Sequence, residues 1–175
     1  VIADLTWSSY AYLQVFMGFR GTAEELGVST VGYWFLPKSP DHTENTIRYF
    51  VDPSFSAEFP YVHVSFPSAK DASATKQTCV ILACAHFDWF KAMAPEDVQK
   101  VADAIVSRLA TRLFTEFPKL QGKDEFVGFA TPLSHEFHLG AKRGAPLGLG
   151  HTPQRFEKWT KPETTIPSLY LAGQD

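Results

Sequence analysis

The stretch 95–117, PEDVQKVADAIVSRLATRLFTEF, decides what kind of fold this chain can adopt. Val98, Val101, Ala102, Ile105, Leu109, Leu113 and Phe117 recur at steps of three and four, which draws one apolar stripe down a helix. Lys100, Arg108 and Arg112 lie off that stripe. Pro95 suits the first turn, Glu96 and Asp97 complement the positive end of the helix dipole, and Pro118 stops the helix. A long helix with a single apolar face has to bury that face against another layer. The stripe is therefore core rather than a cofactor-binding motif, and the flanking sequence must supply the second layer.

Working outward, the flanks read as strands. The run 76–87, KQTCVILACAHF, is a buried strand, and 123–130 is another on the far side of the helix. Upstream, 61–66 (YVHVSF) alternates, with His63 on the same side as Tyr61 and Ser65. The run 30–36 (TVGYWFL) is β-prone and ends at Pro37. The segment 8–19 (SSYAYLQVFMGF) is aromatic, β-prone and central in character. Between strands, Thr22 and Glu25 form a capping-box pattern for a short helical turn through Leu26, closed by Gly27. The segment 41–51 reads as a short amphipathic helix, and 67–74 (PSAKDASA) as a surface loop. Strands and helices without regular βαβ repetition predict an α+β domain, with a mixed or antiparallel sheet and flanking helices.

Composition narrows the classes. The chain has 175 residues, 45% hydrophobic and 20% charged, with a formal net charge of −3. That balance gives no electrostatic case for nucleic acid. Fifteen Phe, six Tyr and four Trp supply a large core or a flat apolar pocket. No apolar run approaches the roughly 20 residues that span a bilayer as a helix. Cys79 and Cys84 share one strand, so their backbones lie roughly 16 Å apart. A disulfide needs about 7 Å or less, so these two are expected as buried thiols rather than a pair. The chain opens at Val1 without Met and reads as a fragment or a processed product.

The remaining stretch, 131–175, is dense in Gly and Pro yet threaded with apolar residues. Residues 1–130 read as scaffold, and 131–175 as an irregular segment that wraps a ligand or another domain, the whole forming one domain. Ser134-His135-Glu136-Phe137-His138 invites a zinc reading, but a zincin helix needs its histidines four apart and these are three apart. No GxSxG nucleophile elbow, GxGxxG fingerprint or Walker phosphate loop is present. Leu169 to Ala172 reads as a short apolar strand that delivers Gly173-Gln174-Asp175, a combination that a plain strand-ending turn also favours.

Several of these segments together resemble the retinol saturase family, within the carotenoid isomerase and phytoene desaturase-like flavoproteins. The residues that carry the likeness are Thr131-Pro132-Leu133, Arg143-Gly144-Ala145, His151-Thr152-Pro153-Gln154-Arg155 and Leu169-Tyr170-Leu171-Ala172-Gly173-Gln174-Asp175. Phe19-Arg20-Gly21, Glu24-Glu25-Leu26-Gly27 and Pro67-Ser68-Ala69-Lys70-Asp71 add to it upstream. The resemblance implies a substrate-binding domain laid over a dinucleotide-binding half that this chain lacks. It implies FAD in the complete protein, met by Gly173, Gln174 and Asp175, with a nicotinamide nucleotide as an electron source. It further implies that Arg143, Gly144, His151, His135 and Lys70 line the substrate. The implied substrate is a conjugated polyene, a retinoid or carotenoid-like lipid, reduced by hydride from the flavin, with isomerisation and desaturation as variants. Association with a membrane or a larger complex, in the endoplasmic reticulum or a plastid, is implied in the same way. A flavin-free structural or pigment-binding subunit is the alternative expectation.

Overall fold

In the computed structural model, which describes residues 10–51, 57–146, 153, 157 and 161–172, the centre of the fold is a pair of 11-residue strands, β1 (Tyr10–Arg20) and β4 (Lys76–His86). They pair antiparallel along their whole length, from Tyr10 opposite His86 to Arg20 opposite Lys76. β2 (Tyr33–Phe35) and β3 (Val62–Ser65) extend the sheet on the β4 side, and β5 (Asp124–Ala130) extends it beyond β1. The order is β2-β3-β4-β1-β5 and every neighbouring pair is antiparallel, which resolves the choice the sequence left open. The architecture is α+β, as the pattern of elements predicts.

One face of this sheet is buried. Alternation places Leu13, Val15, Met17 and Phe19 of β1 beside Cys79, Ile81 and Ala83 of β4 and Val62 and Val64 of β3, all almost inaccessible. α4 (Pro95–Glu116) lays Ala102, Ile105, Leu109 and Leu113 against them, which are the stripe positions of the sequence. Burying each of the three larger side chains contributes about 1.5–3 kcal/mol. Phe19 meets Phe114 edge-on, and Phe117 does the same with Tyr33 and Phe66, so aromatic rings close the layer at the C-terminal end of α4.

The connections follow local rules. α1 (Ala23–Leu26) has the reciprocal capping box between Thr22 and Glu25 and ends at Gly27. α2 (His42–Val51) is held down by Tyr49, which is fully buried and donates its hydroxyl to the Cys84 carbonyl at 2.6 Å. Two local expectations are corrected. The strand expected to run through 87 stops at His86, because α3 (Phe87–Phe90) turns the chain there, with His86 accepting from the Asp88 N–H. The segment after β5 is not irregular throughout. α5 (Pro132–Leu139) forms between Pro132, tolerated at a helix start, and Gly140, a left-handed stop. Both cysteines are buried thiols rather than a disulfide, and burial pushes the Cys79 thiol up to about 12 and Cys84 to about 11.

Candidate functional site

The second face of the sheet carries more aromatic and aliphatic side chains than the solvated side of an antiparallel sheet ordinarily does. Adjacent strands bring Trp34, His63, Leu82, Gln14 and Ala130 into one row across it, and Ser65, Val80, Phe16 and Gly128 into the next. Gly18 and Phe126 continue the same face. Trp34 is 61% exposed, Phe126 60% and Phe16 38%. The Phe126 ring lies over Gly128, where an added Cβ would meet it at 2.9 Å, so the missing side chain makes room for the ring. The result is an exposed platform of aromatic and aliphatic side chains, interrupted by His63, Gln14 and Ser65.

Groups that can hold a proton border the platform at its Trp34 end. Tyr61 and His63 pack on Trp34 with ring centroids 5.6 and 4.7 Å away. The Tyr12 and Tyr61 hydroxyls are 3.4 Å apart. Burial, followed by the nearby Cys84, raises both phenols, so they stay protonated at neutral pH. Nothing in this arrangement activates a nucleophile. What it can do is hold a planar hydrophobe beside hydroxyl hydrogen-bond donors.

Three of the residues expected to line substrate meet at one corner of the fold. After α5 the chain makes a 3-10 turn, Lys142–Gly144, in which Arg143 takes a left-handed φ of 58°. The Arg143 N–H donates to Glu136 Oε1 at 2.8 Å, and its guanidinium donates to Asp88 Oδ2 at 2.7 Å. The same guanidinium lies over the Phe87 ring, 5.2 Å from its centroid. Lys91 Nζ is 2.6 Å from the other Asp88 oxygen. Hydrogen bonds from Lys91 and Arg143 hold the Asp88 carboxyl below the usual carboxylate range. Gly144 is buried against Pro132, beside the His135 imidazole. The imidazole Nε2 is buried without a partner among the described residues. The aromatic partner of Arg143 among the described residues is thus Phe87.

Lys70 is not brought to this corner. It ends the exposed 3-10 turn Pro67–Lys70, whose Ser68 bonds Thr78 near the start of β4. The corner lies past the other end of that strand, roughly 25 Å away along β4. His151, Gly173, Gln174 and Asp175 lie outside the described residues. The strand expected at Leu169 to Ala172 is not a sheet strand. Tyr170 makes a single antiparallel bridge with Glu163, around a turn in which Thr164 Oγ1 donates to the Leu169 carbonyl. Leu169, Tyr170 and Leu171 are exposed. His135 is buried and His138 exposed, so the two do not share a face. Among the described residues no helix is long and apolar enough to cross a membrane.

The corner sets a pH response. Burial lowers His135 below its ordinary value of 6.5, only partly offset by the bond to Gly144. Burial also lowers His86, against the opposing pull of Asp88. The unfolded chain therefore takes up these protons first as pH falls. Stability is full above about pH 6.5 and declines as pH drops toward the lower folded values. Melting temperatures should fall between about pH 6.5 and 5, a window above the one in which lowered carboxylates such as Asp88 act. His135→Gln should flatten that slope, with His86 leaving a remainder. An unchanged slope would remove His135 from the account.

No family model matches the chain. Curated relatives do. It is 30% identical over 179 residues to the all-trans-retinol 13,14-reductase of Homo sapiens, which covers 92% of this chain and 29% of that protein. To the all-trans-retinol 13,14-reductase of Danio rerio it is 26% identical over 180 residues, covering 93% of this chain and 30% of that one. An inactive all-trans-retinol 13,14-reductase of Danio rerio is 29% identical over 184 residues, covering 94% of this chain and 30% of its own length. The chain thus spans about 30% of the length of the relatives it matches.

Proposed function

We propose that this chain, which belongs to the retinol saturase (all-trans-retinol 13,14-reductase) family, is the substrate-facing portion of an oxidoreductase that acts on a retinoid with FAD. The observation that carries the reading is the apolar face built from Trp34, Leu82, Val80, Phe16 and Phe126, beside a likeness that runs nearly the whole chain. A planar ring system or a polyene suits such a surface, because both are flat and apolar. The flavin's pyrophosphate does not, since it calls for a nest of backbone N–H groups or a helix N-terminus. This chain's contribution to FAD is therefore the ring side of the site.

When bound, the flavin supplies the hydride. The protein's own work is positioning. Phe16, Val80 and Leu82 exclude water from the platform and hold the polyene flat, which converts an encounter into an aligned complex. Tyr61, Tyr12 and His63 border one end and can deliver the proton that completes reduction of a double bond. A second reading is a flavin-free pigment-binding subunit; a relative named inactive shows only that a similar chain can occur without the activity.

The test uses the full-length protein that contains this chain. Titration with all-trans-retinol should quench Trp34 fluorescence, and Trp34→Phe should abolish that component. Phe16→Lys, at a position exposed enough to accept it, should weaken retinol binding about tenfold, or about 1.4 kcal/mol. Undiminished binding in that variant would remove the platform from the site. A flavin absorption band together with turnover of retinol supports the enzyme; quenching without either supports the subunit.

A further inference from the structure

A separate cavity lies on the helix side of the sheet, at its β2 edge. α4 brings Arg108 and Arg112, one turn apart, to a hollow of about 160 Å³ walled by Phe35, Leu36, Phe59 and Val62. Both guanidiniums are fixed in place. Arg108 Nη2 donates to the Ala57 carbonyl at 2.7 Å, and its Cζ lies 4.7 Å from the Phe59 ring centroid. Arg112 Nη2 reaches Glu116 Oε1 at 3.1 Å, and its Cζ lies 5.5 Å from the Phe35 centroid.

Each arginine also has one donor that is buried and unpaired in this conformation. Arg108 Nη1 and Arg112 Nε have no hydrogen-bond partner among the described residues. A buried unpaired donor on a cation is costly, and two like charges four residues apart on a helix repel. Glu58, the carboxylate that lines the hollow, does not answer them. Its Oε2 accepts from the backbone N–H groups of Lys38 and Ser39, at 2.9 and 3.2 Å. Guanidinium forks in an aromatic setting match an acceptor with two oxygens, and the walls match a hydrocarbon stem.

We infer that this cavity binds the carboxylate of an amphipathic organic acid, its oxygens shared by Arg108 and Arg112 and its stem against Phe35, Leu36 and Phe59. The site lies on the opposite layer from the retinoid platform and stands whether or not that proposal holds.

Calorimetric titration of the full-length protein with octanoate, octanol and inorganic phosphate tests it. Octanoate should bind at one site, octanol at least tenfold more weakly, and phosphate more weakly than octanoate. Arg108→Gln and Arg112→Gln should each weaken octanoate at least tenfold. Arg108→Lys, which keeps the charge and loses the fork, should weaken it several-fold. Leu36→Glu, at an exposed rim position, tests the stem without disturbing the core and should also weaken octanoate. Equal binding of octanol would overturn the role of the arginines, and equal binding of phosphate would overturn that of the apolar walls. No octanoate binding, or binding untouched in these variants, would overturn the site.

Discussion

Replacing Gly144 with alanine should cost about 3 kcal/mol, a fall of roughly 6–12 °C in melting temperature for a chain of this size. Two effects add at this one position. Its φ of 63° is a left-handed conformation that an L side chain adopts only at a penalty. A Cβ there would also stand 2.5 Å from the Pro132 carbonyl oxygen and 2.8 Å from the Pro132 Cα. Those neighbours are backbone at the start of α5, so they cannot swing aside as a side-chain tip could. Gly140→Ala is the matched control. Gly140 has a φ of 66° with nothing within 4 Å of an added Cβ, so it meets the strain alone, about 1 kcal/mol. The gap between the two variants measures the clash. Equal melting temperatures would mean that the turn carrying Arg143 is not docked on α5 as described.

Tyr49→Ala should be larger, about 4 kcal/mol. The ring is fully buried, with Phe50, Phe59 and Trp89 at centroid distances of 5.3, 5.5 and 5.5 Å. Removing it empties the space that ties α2 and the segment before β3 to the sheet. Tyr49→Phe keeps the ring and removes only the donor to the Cys84 carbonyl, a loss of about 1 kcal/mol. Urea denaturation of both variants separates the terms. If Phe proved as damaging as Ala, the hydrogen bond and not the packing would hold α2. Because Phe59 also walls the arginine hollow, Tyr49→Ala should loosen that site while Tyr49→Phe leaves it intact.

The helix stripe and the strands were legible because each is a local period. Ile105, Leu109 and Leu113 repeat at helical spacing and are buried for that reason. The capping box at Thr22 and Glu25 is written in four consecutive residues and forms as read. Arg143 shows the limit. Its partner Asp88 lies 55 positions away, on a helical turn too short to announce itself beyond a strand. Arg108 and Arg112 read merely as off the stripe. Period says nothing of a guanidinium laid on a ring supplied by a distant loop. The platform is partly legible in the two long strands: Phe16 of β1 and Val80 and Leu82 of β4 stand at the parity where a solvated face would carry charge, in keeping with their reading as central and buried strands.

The long central pair has a kinetic consequence. β1 and β4 meet only after the intervening chain, with β2, α2 and β3 in it, has been drawn into a closed loop. The entropy of that closure is lost before the pairing returns anything, so the rate-limiting step of refolding should be slow compared with formation of α4 alone. Once zipped, the same two strands should be the last amides to exchange with deuterium, while α1 and the turn at 161–172 exchange early.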